Sequence, residues 1–188
     1  MVGVDEVGRG CWAGPLLVVA AKPNGLLPAG LRDSKLMSKK QRQVAVGLLA
    51  SSCRFGEGWV SVAEIDELGL AGAMRLGTKR ALLSLGVGIK EPIIMDGKVN
   101  YAPVKYKNVK AVVDADATIP AVSAAGIYAK VKRDDFMAAL RNDYPDYGFD
   151  KHVGYGTLLH RLALEKHGAL RGVHRMSFRP LQSFGGTI

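Results

Sequence analysis

The sequence has little cysteine: Cys11 and Cys53 are the only two in 188 residues. Two thiols build no disulfide framework, and neither sits in a C-x-x-C pair, which argues against structural zinc. A long apolar run is also missing. The longest, Leu16 to Ala21, is far too short to span a bilayer. The first residues carry acids at positions 5 and 6, where a secretory leader would be basic and then apolar. No internal repeat or low-complexity tract stands out. Together these absences point to a reduced, soluble, cytoplasmic protein with no membrane partner.

What is present is an ordinary globular composition, 48% hydrophobic and 23% charged, with an excess of base. Lysine and arginine number 26 against 17 acidic residues, a net charge of +9. That balance favours an anionic partner, with nucleic acid ahead of a membrane surface. The length suits one domain with a real core.

The chain is organised around its opening, Val2-Gly3-Val4-Asp5-Glu6-Val7-Gly8-Arg9-Gly10. A short apolar strand ends in two carboxylates and runs into a turn with exposed backbone on both sides of an arginine. Glycine lets main-chain N–H groups approach a ligand, so acid, backbone and arginine together suit a metal beside a phosphate. Taken alone, the stretch reads better as a plain strand end and turn.

The rest of the chain supports the chemical reading. Residues 15–22 form a second strand, antiparallel to the first, and Ser38 caps a helix through about Leu49. Residues 55–62 form a third strand, and a helix over 63–85 breaks near Gly69. Residues 91–97 read as a buried strand ending in Asp96-Gly97. A strand over 106–113 ends at Asp114-Ala115-Asp116. Pro120 opens a helix to about Arg141, whose half from Lys130 to Asp135 turns towards solvent. Residues 144–149 are a loop, Gly154-Tyr155-Gly156 is a second glycine-bracketed turn, and a helix follows from Thr157 to about His167. The basic stretch around His174-Arg175 packs back on the body, and the chain frays beyond Gln182.

Short strands interleaved with helices define an α/β fold with a central mixed sheet. On it, Asp5, Asp96 and Asp116 each lie at or just past a strand end and can meet at one edge. An all-oxygen cluster with no histidine or cysteine nearby selects Mg²⁺ or Mn²⁺. Two such ions roughly 4 Å apart activate a water and stabilise the leaving 3′-oxygen of a phosphodiester. Glu6 fits less easily, because neighbours on a strand face opposite ways. It shares the site only if the strand breaks, or acts through its backbone carbonyl. Asp33-Ser34-Lys35, just ahead of a helix, offers a hydroxyl and a cation to a phosphate.

The motifs, in order, resemble the type 2 ribonuclease H family, in its bacterial ribonuclease HII form. Asp5-Glu6-Val7-Gly8-Arg9-Gly10 matches the family's D-E-x-G-R-G, with Ala13-Gly14-Pro15 after it. Asp33-Ser34-Lys35, Asp96-Gly97 and the run from Asp116 to Asp134 match further motifs, as do stretches around Tyr147, Tyr155 and Phe178. The resemblance covers residues 2 to about 180. It implies an RNase H-like fold with a five-stranded sheet, in a single catalytic domain over 1–188 whose residues from about 142 form a C-terminal helical extension. It implies Asp5, Glu6, Asp96 and Asp116 as catalytic, metal-holding residues, preferred over Asp114, with Asp134 a candidate behind them. The implied activity is cleavage of the RNA strand of RNA–DNA hybrids and nicking 5′ of a single ribonucleotide in duplex DNA, leaving 3′-hydroxyl and 5′-phosphate ends, as in ribonucleotide removal during DNA replication and repair. Gly8, Arg9 and Gly10 would sense the 2′-hydroxyl, Tyr155 would stack on the following sugar, and Ser34 and Lys35 would hold phosphate. The expected state is a monomer. The tail holds Phe184 but too little around it for a sliding-clamp motif.

The chain departs from the pattern at Lys98, where asparagine is usual, at Gly126, where serine is, and at Val153, where lysine is common. None is a proposed metal ligand. Two rival readings are another nuclease of the superfamily, such as a junction resolvase, and a catalytically inactive hybrid-binding protein. The first lacks Gly-Arg-Gly beside its acids, and the second would have lost an acid.

Overall fold

Apolar runs with small residues at their ends build a five-stranded mixed sheet. The computed structural model describes residues 1–28, 37–184 and 186–187. Ser34 and Lys35 lie outside them. β1 (Val2–Val7) pairs antiparallel with β2 (Leu16–Pro23), Asp5 opposite Val19. α1 (Lys39–Ser52) opens with a reciprocal cap, Ser38 and Gln41 each satisfying the other's backbone. β3 (Cys53–Val60) begins two residues earlier than its pattern suggests.

α2 (Val62–Leu85) is broken at Gly69, whose φ of 65° and ψ of 170° leave the helical region, as the glycine predicts. β4 (Ile93–Asp96) runs parallel to β1 with Val4 opposite Met95. β5 (Val109–Val112) is parallel to β4 and shorter than the expected 106–113. The sheet order is β3-β2-β1-β4-β5. α3 (Ala115–Thr118) is a single turn that periodicity does not show, and α4 (Pro120–Ala139) follows. The expected loop at 144–149 instead holds a 3-10 turn, Pro145–Tyr147, and then α5 (Phe149–His152). Thr157 caps α6 (Leu158–His167). β6 (Ala169–Leu170) pairs with β7 (Gly186–Thr187), where fraying was expected.

Contacts divide the chain into two compact units. The first takes in residues 1–7, 17–59 and 74–131. Its core gathers Leu17, Val19 and Ala21 of β2 with Leu49 of α1 and Ala124, Ala125 and Ala129 of α4. The small residues of α4 are thus packed, as their composition suggests. The second unit takes in residues 8–16, 60–73 and 132–188. Tyr147, Phe149, Met137, Leu164, Val173 and Leu181 form its core. The Asp66 carboxylate accepts from the backbone N–H groups of Met176 and Ser177, both at 3.0 Å, and ties the C-terminal stretch within that unit.

One expectation fails outright. Arg133 and Asp134 of α4 do not turn to solvent; they are 0% and 8% exposed. The reason lies in what Arg133 binds.

Candidate active site

The acids sit in the first unit. Parallel pairing of Val4 with Met95 brings the next residues, Asp5 and Asp96, to the same level, at the carboxyl end of β4 and two residues short of that of β1. Asp96 Oδ1 accepts the Ala115 N–H at 2.8 Å, which fixes it to the start of α3. Asp114 takes a left-handed turn, φ 54°, and is exposed, while Asp116 in the first turn of α3 is buried. The Ser123 hydroxyl of α4 donates to the Asp116 carbonyl. Of the two acids weighed in the sequence, Asp116 is the buried one and Asp114 the exposed one.

Asp5 is 8% exposed. Its Oδ1 accepts the Glu6 N–H at 2.7 Å. Its Oδ2 lies against α4 at Gly126, in the place a Cβ there would take. Burial pushes the Asp5 carboxyl well above its usual range, and the charge of Glu6 adds to this; the Glu6 N–H opposes it, and Asp96 and Asp116 raise it further. Four carboxylates therefore share one field. β1 runs unbroken through Val7, so strand alternation keeps Glu6 off the Asp5 face. Among the described residues, no three acidic, histidine or cysteine side chains close into a finished metal shell. The donors still fit a hard divalent cation: all are oxygens, and a buried carboxylate repelled by its neighbours is relieved by positive charge.

The glycine turn and Tyr155 belong to the second unit. Gly8 has φ +88°, and a Cβ there would overlap the Arg133 side chain. Arg9 and Gly10 are exposed. Two fully buried arginines shape this segment. Arg133 donates from Nε to the Pro15 carbonyl at 2.8 Å, from Nη1 to Val153 at 2.9 Å and from Nη2 to Ala13 at 3.0 Å. Arg175 donates from Nε to the Gly14 carbonyl at 3.0 Å and from Nη1 to Arg9 at 3.1 Å. Burial lowers the Arg175 guanidinium to about 10, still charged at neutral pH. The planar fork suits several carbonyls at once.

The Tyr155 turn docks on the same segment. Trp12 N–H donates to the Gly154 carbonyl at 2.8 Å, and the Trp12 indole covers Gly156 so closely that a Cβ would overlap it. The Tyr155 ring is 40% exposed. Burial raises its phenol, with the Cys11 thiol as a hydrogen-bond neighbour and Asp134 as a nearby charge. Asp134, expected near the metal, thus bears on Tyr155 within the second unit. Sequence reasoning missed Arg133 and Arg175. An arginine among mixed charges is solvated by default, and a lone sequence carries no sign that backbone carbonyls await it.

A mixed five-stranded sheet with acids at or near the ends of its central parallel strands and just past β5 defines a ribonuclease H-like nuclease. The model of the ribonuclease HII family matches residues 2–180, and the chain belongs to that family. Ribonuclease HII of Wolbachia sp. from Brugia malayi is 39% identical over 183 residues, 96% of this chain and 88% of the relative. Among solved structures, the ribonuclease HII in the PCNA complex from Archaeoglobus fulgidus is similar, with a TM-score of 0.78 and 25% identity over 93% of this chain and 92% of that one. The Mn²⁺ complex of Bst-RNase HIII shares the fold, with a TM-score of 0.78 and 18% identity over 97% and 68% of the two chains. The chain is a ribonuclease H: an endoribonuclease of a divalent-metal-dependent family acting on RNA–DNA hybrids. Among the described residues, no helix is long and apolar enough to cross a membrane.

Proposed function

We propose that this ribonuclease H also nicks duplex DNA on the 5′ side of a single embedded ribonucleotide, leaving 3′-hydroxyl and 5′-phosphate ends, in ribonucleotide removal from DNA. The observation that carries the catalytic half is the parallel register that brings Asp5 and Asp96 level on adjacent strands, with Asp5 and Asp116 both buried; burial and the charges of Glu6, Asp96 and Asp116 raise the Asp5 carboxyl there. Two Mg²⁺ or Mn²⁺ ions, when bound, would supply a nucleophile from water and neutralise charge at the leaving oxygen. Asp5, Asp96 and Asp116 hold the charge, and Glu6 assists through its backbone carbonyl or as a neighbouring charge. Ala115 N–H and Ser123 Oγ keep two of these acids in register.

The junction-reading half rests on Gly8, Arg9, Gly10 and Tyr155. A 2′-hydroxyl both donates and accepts, so exposed peptide groups beside Arg9 are suited to read it. The half-exposed Tyr155 ring offers a face to the next sugar. Ser34 and Lys35 complete the proposal as phosphate contacts.

The test is cleavage of labelled duplex DNA carrying one ribonucleotide, with Mg²⁺ or Mn²⁺, by wild type and Asp96→Asn. All-DNA duplex is the control. One nick 5′ of the ribonucleotide, lost in the variant, is expected. Cutting of long hybrids alone would remove the junction-reading role. Binding without cutting would favour an inactive hybrid-binding protein.

A further inference from the structure

Three histidines, His152, His160 and His174, are buried together in the second unit at 5%, 0% and 0% exposure. His152 stacks on His160 with centroids 4.2 Å apart, and His160 lies 5.2 Å from His174. Such a cluster invites a metal, but the hydrogen bonds rule it out, because all six ring nitrogens are engaged. Gly154 N–H donates to His152 Nδ1 at 3.1 Å, and His152 Nε2 meets the Tyr147 carbonyl at 2.7 Å. Leu170 N–H donates to His174 Nδ1 at 2.9 Å. His174 Nε2 meets His160 Nε2 at 3.1 Å, and His160 Nδ1 meets the Tyr155 carbonyl at 2.9 Å.

These partners dictate the protons. A nitrogen that accepts an N–H carries none, so His152 and His174 are protonated on Nε2. His174 then donates to His160 Nε2, which leaves the His160 proton on Nδ1, facing the Tyr155 carbonyl. The bonds run one way, from Leu170 through His174 and His160 to Tyr155. An added proton on any ring would set two donors face to face. Burial agrees with this, lowering His160 to about 3 and His174 to about 4. The charged group bearing on His152 is Asp150, which opposes a lowering caused by burial. Phe149 and Tyr147 also pack on the cluster, and Trp12 lies against His160.

We infer that His152, His160 and His174 are positioning residues that preset the Tyr155 turn through one fixed set of neutral tautomers. His152 takes the N–H of Gly154, and His160 holds the C=O of Tyr155, so histidine grips the chain on both sides of the ring-bearing residue. The functional part rests on the reading of Tyr155 as a substrate contact.

Two measurements decide it. Long-range ¹⁵N–¹H spectra of the ¹⁵N-labelled protein should show His152 and His174 as Nε2–H and His160 as Nδ1–H, unchanged between pH 7.5 and 5.5. A different tautomer, or titration near pH 6.5, would overturn the network even if no variant folds. In kinetics on duplex carrying one ribonucleotide, His160→Phe keeps an aromatic ring and deletes the donor. It should raise KM about tenfold with kcat within about twofold. His160→Asn, which restores a donor near the Nδ1 position, should recover most of the loss. His160→Phe combined with Tyr155→Ala should be no worse than Tyr155→Ala alone, because the histidine acts through the tyrosine. Additive losses, or an unchanged KM in His160→Phe while Tyr155→Ala is impaired, would overturn the positioning role. If Tyr155→Ala itself is unimpaired, the reading of Tyr155 fails, and with it the functional half of the inference, while the tautomers are still judged by the spectra.

Discussion

The Asp5 carboxylate occupies the space that a side chain at position 126 would fill. Gly126 of α4 has no Cβ, and Asp5 Oδ2 rests against its backbone. A helix-interior glycine costs about 1 kcal/mol relative to alanine, so this helix gives up stability at the point where the acid leans on it. Gly126→Ala therefore has two opposed effects. Helix propensity favours it, and overlap with Asp5 opposes it by about 1–3 kcal/mol. The expected net result is a loss of stability in metal-free urea unfolding. A gain of about 1 kcal/mol would mean that Asp5 does not fill that space.

Asp5→Asn should stabilise the metal-free protein while abolishing cleavage. Asparagine keeps an oxygen for the Glu6 N–H and removes a charge that is buried and repelled by Glu6, Asp96 and Asp116. The sign follows from linkage. A carboxyl raised in the fold binds protons more tightly there than in the unfolded chain, so its favourable contribution lies at low pH and is lost as pH rises through the folded value. The variant's advantage is then absent below the unfolded carboxylate range and grows as pH rises above it, on the order of 1 kcal/mol by pH 8. Added Mn²⁺ should raise the wild-type Tm more than the variant's. Equal metal-free stability at pH 8 would argue against the shared field.

Acid should weaken the fold before ordinary carboxylates protonate. His160 and His174 are held to about 3 and about 4, below the 6.5 of a free histidine. Between those values the unfolded chain binds protons that the folded one refuses. Stability is therefore full above pH 6.5 and falls as pH drops towards 3. Two such groups predict a loss of about 2 kcal/mol between pH 7 and 5.5, with Asp5 working the other way. Urea unfolding at several pH values measures it, and a flat profile from pH 7 to 5.5 would contradict the neutral cluster.

Much of the first unit was legible in the sequence because its signals are local. Asp5 and Asp96 end apolar runs, and Ser38 opens a polar helix. The mixed sheet follows from alternating elements, and pairing of β1 with β2 follows from the glycine turn between them. The second unit was less legible because its logic is non-local. Arg133 meets carbonyls of Ala13 and Pro15, more than a hundred residues away in sequence. The histidines are lone residues in a linear reading and become a network only when α5, α6 and the stretch after β6 converge. α3 is one turn long, too short for a period to show. Strand alternation alone set Glu6 apart from Asp5 in the sequence, and β1 is continuous through both residues.

Arg133 is where a conservative change should be costly. Its three bonds go to carbonyls rather than to a carboxylate, and the three acceptors bracket the turn after Gly10 and the approach to Gly154. Arg133→Met keeps most of the volume, removes the charge and leaves Ala13, Pro15 and Val153 carbonyls buried without this donor. Each unmade bond costs roughly 1–3 kcal/mol before relaxation, so a net loss of about 3–5 kcal/mol is expected. Arg133→Lys should not rescue it, because one ammonium cannot reach three acceptors spread along a planar fork, and it is more strongly hydrated. The measurement is urea unfolding of both variants beside wild type. A lysine variant within about 1 kcal/mol of wild type would show that charge alone suffices there. A methionine variant that stable would show that the carbonyls find other donors, so that Arg133 follows the shape of this segment rather than setting it.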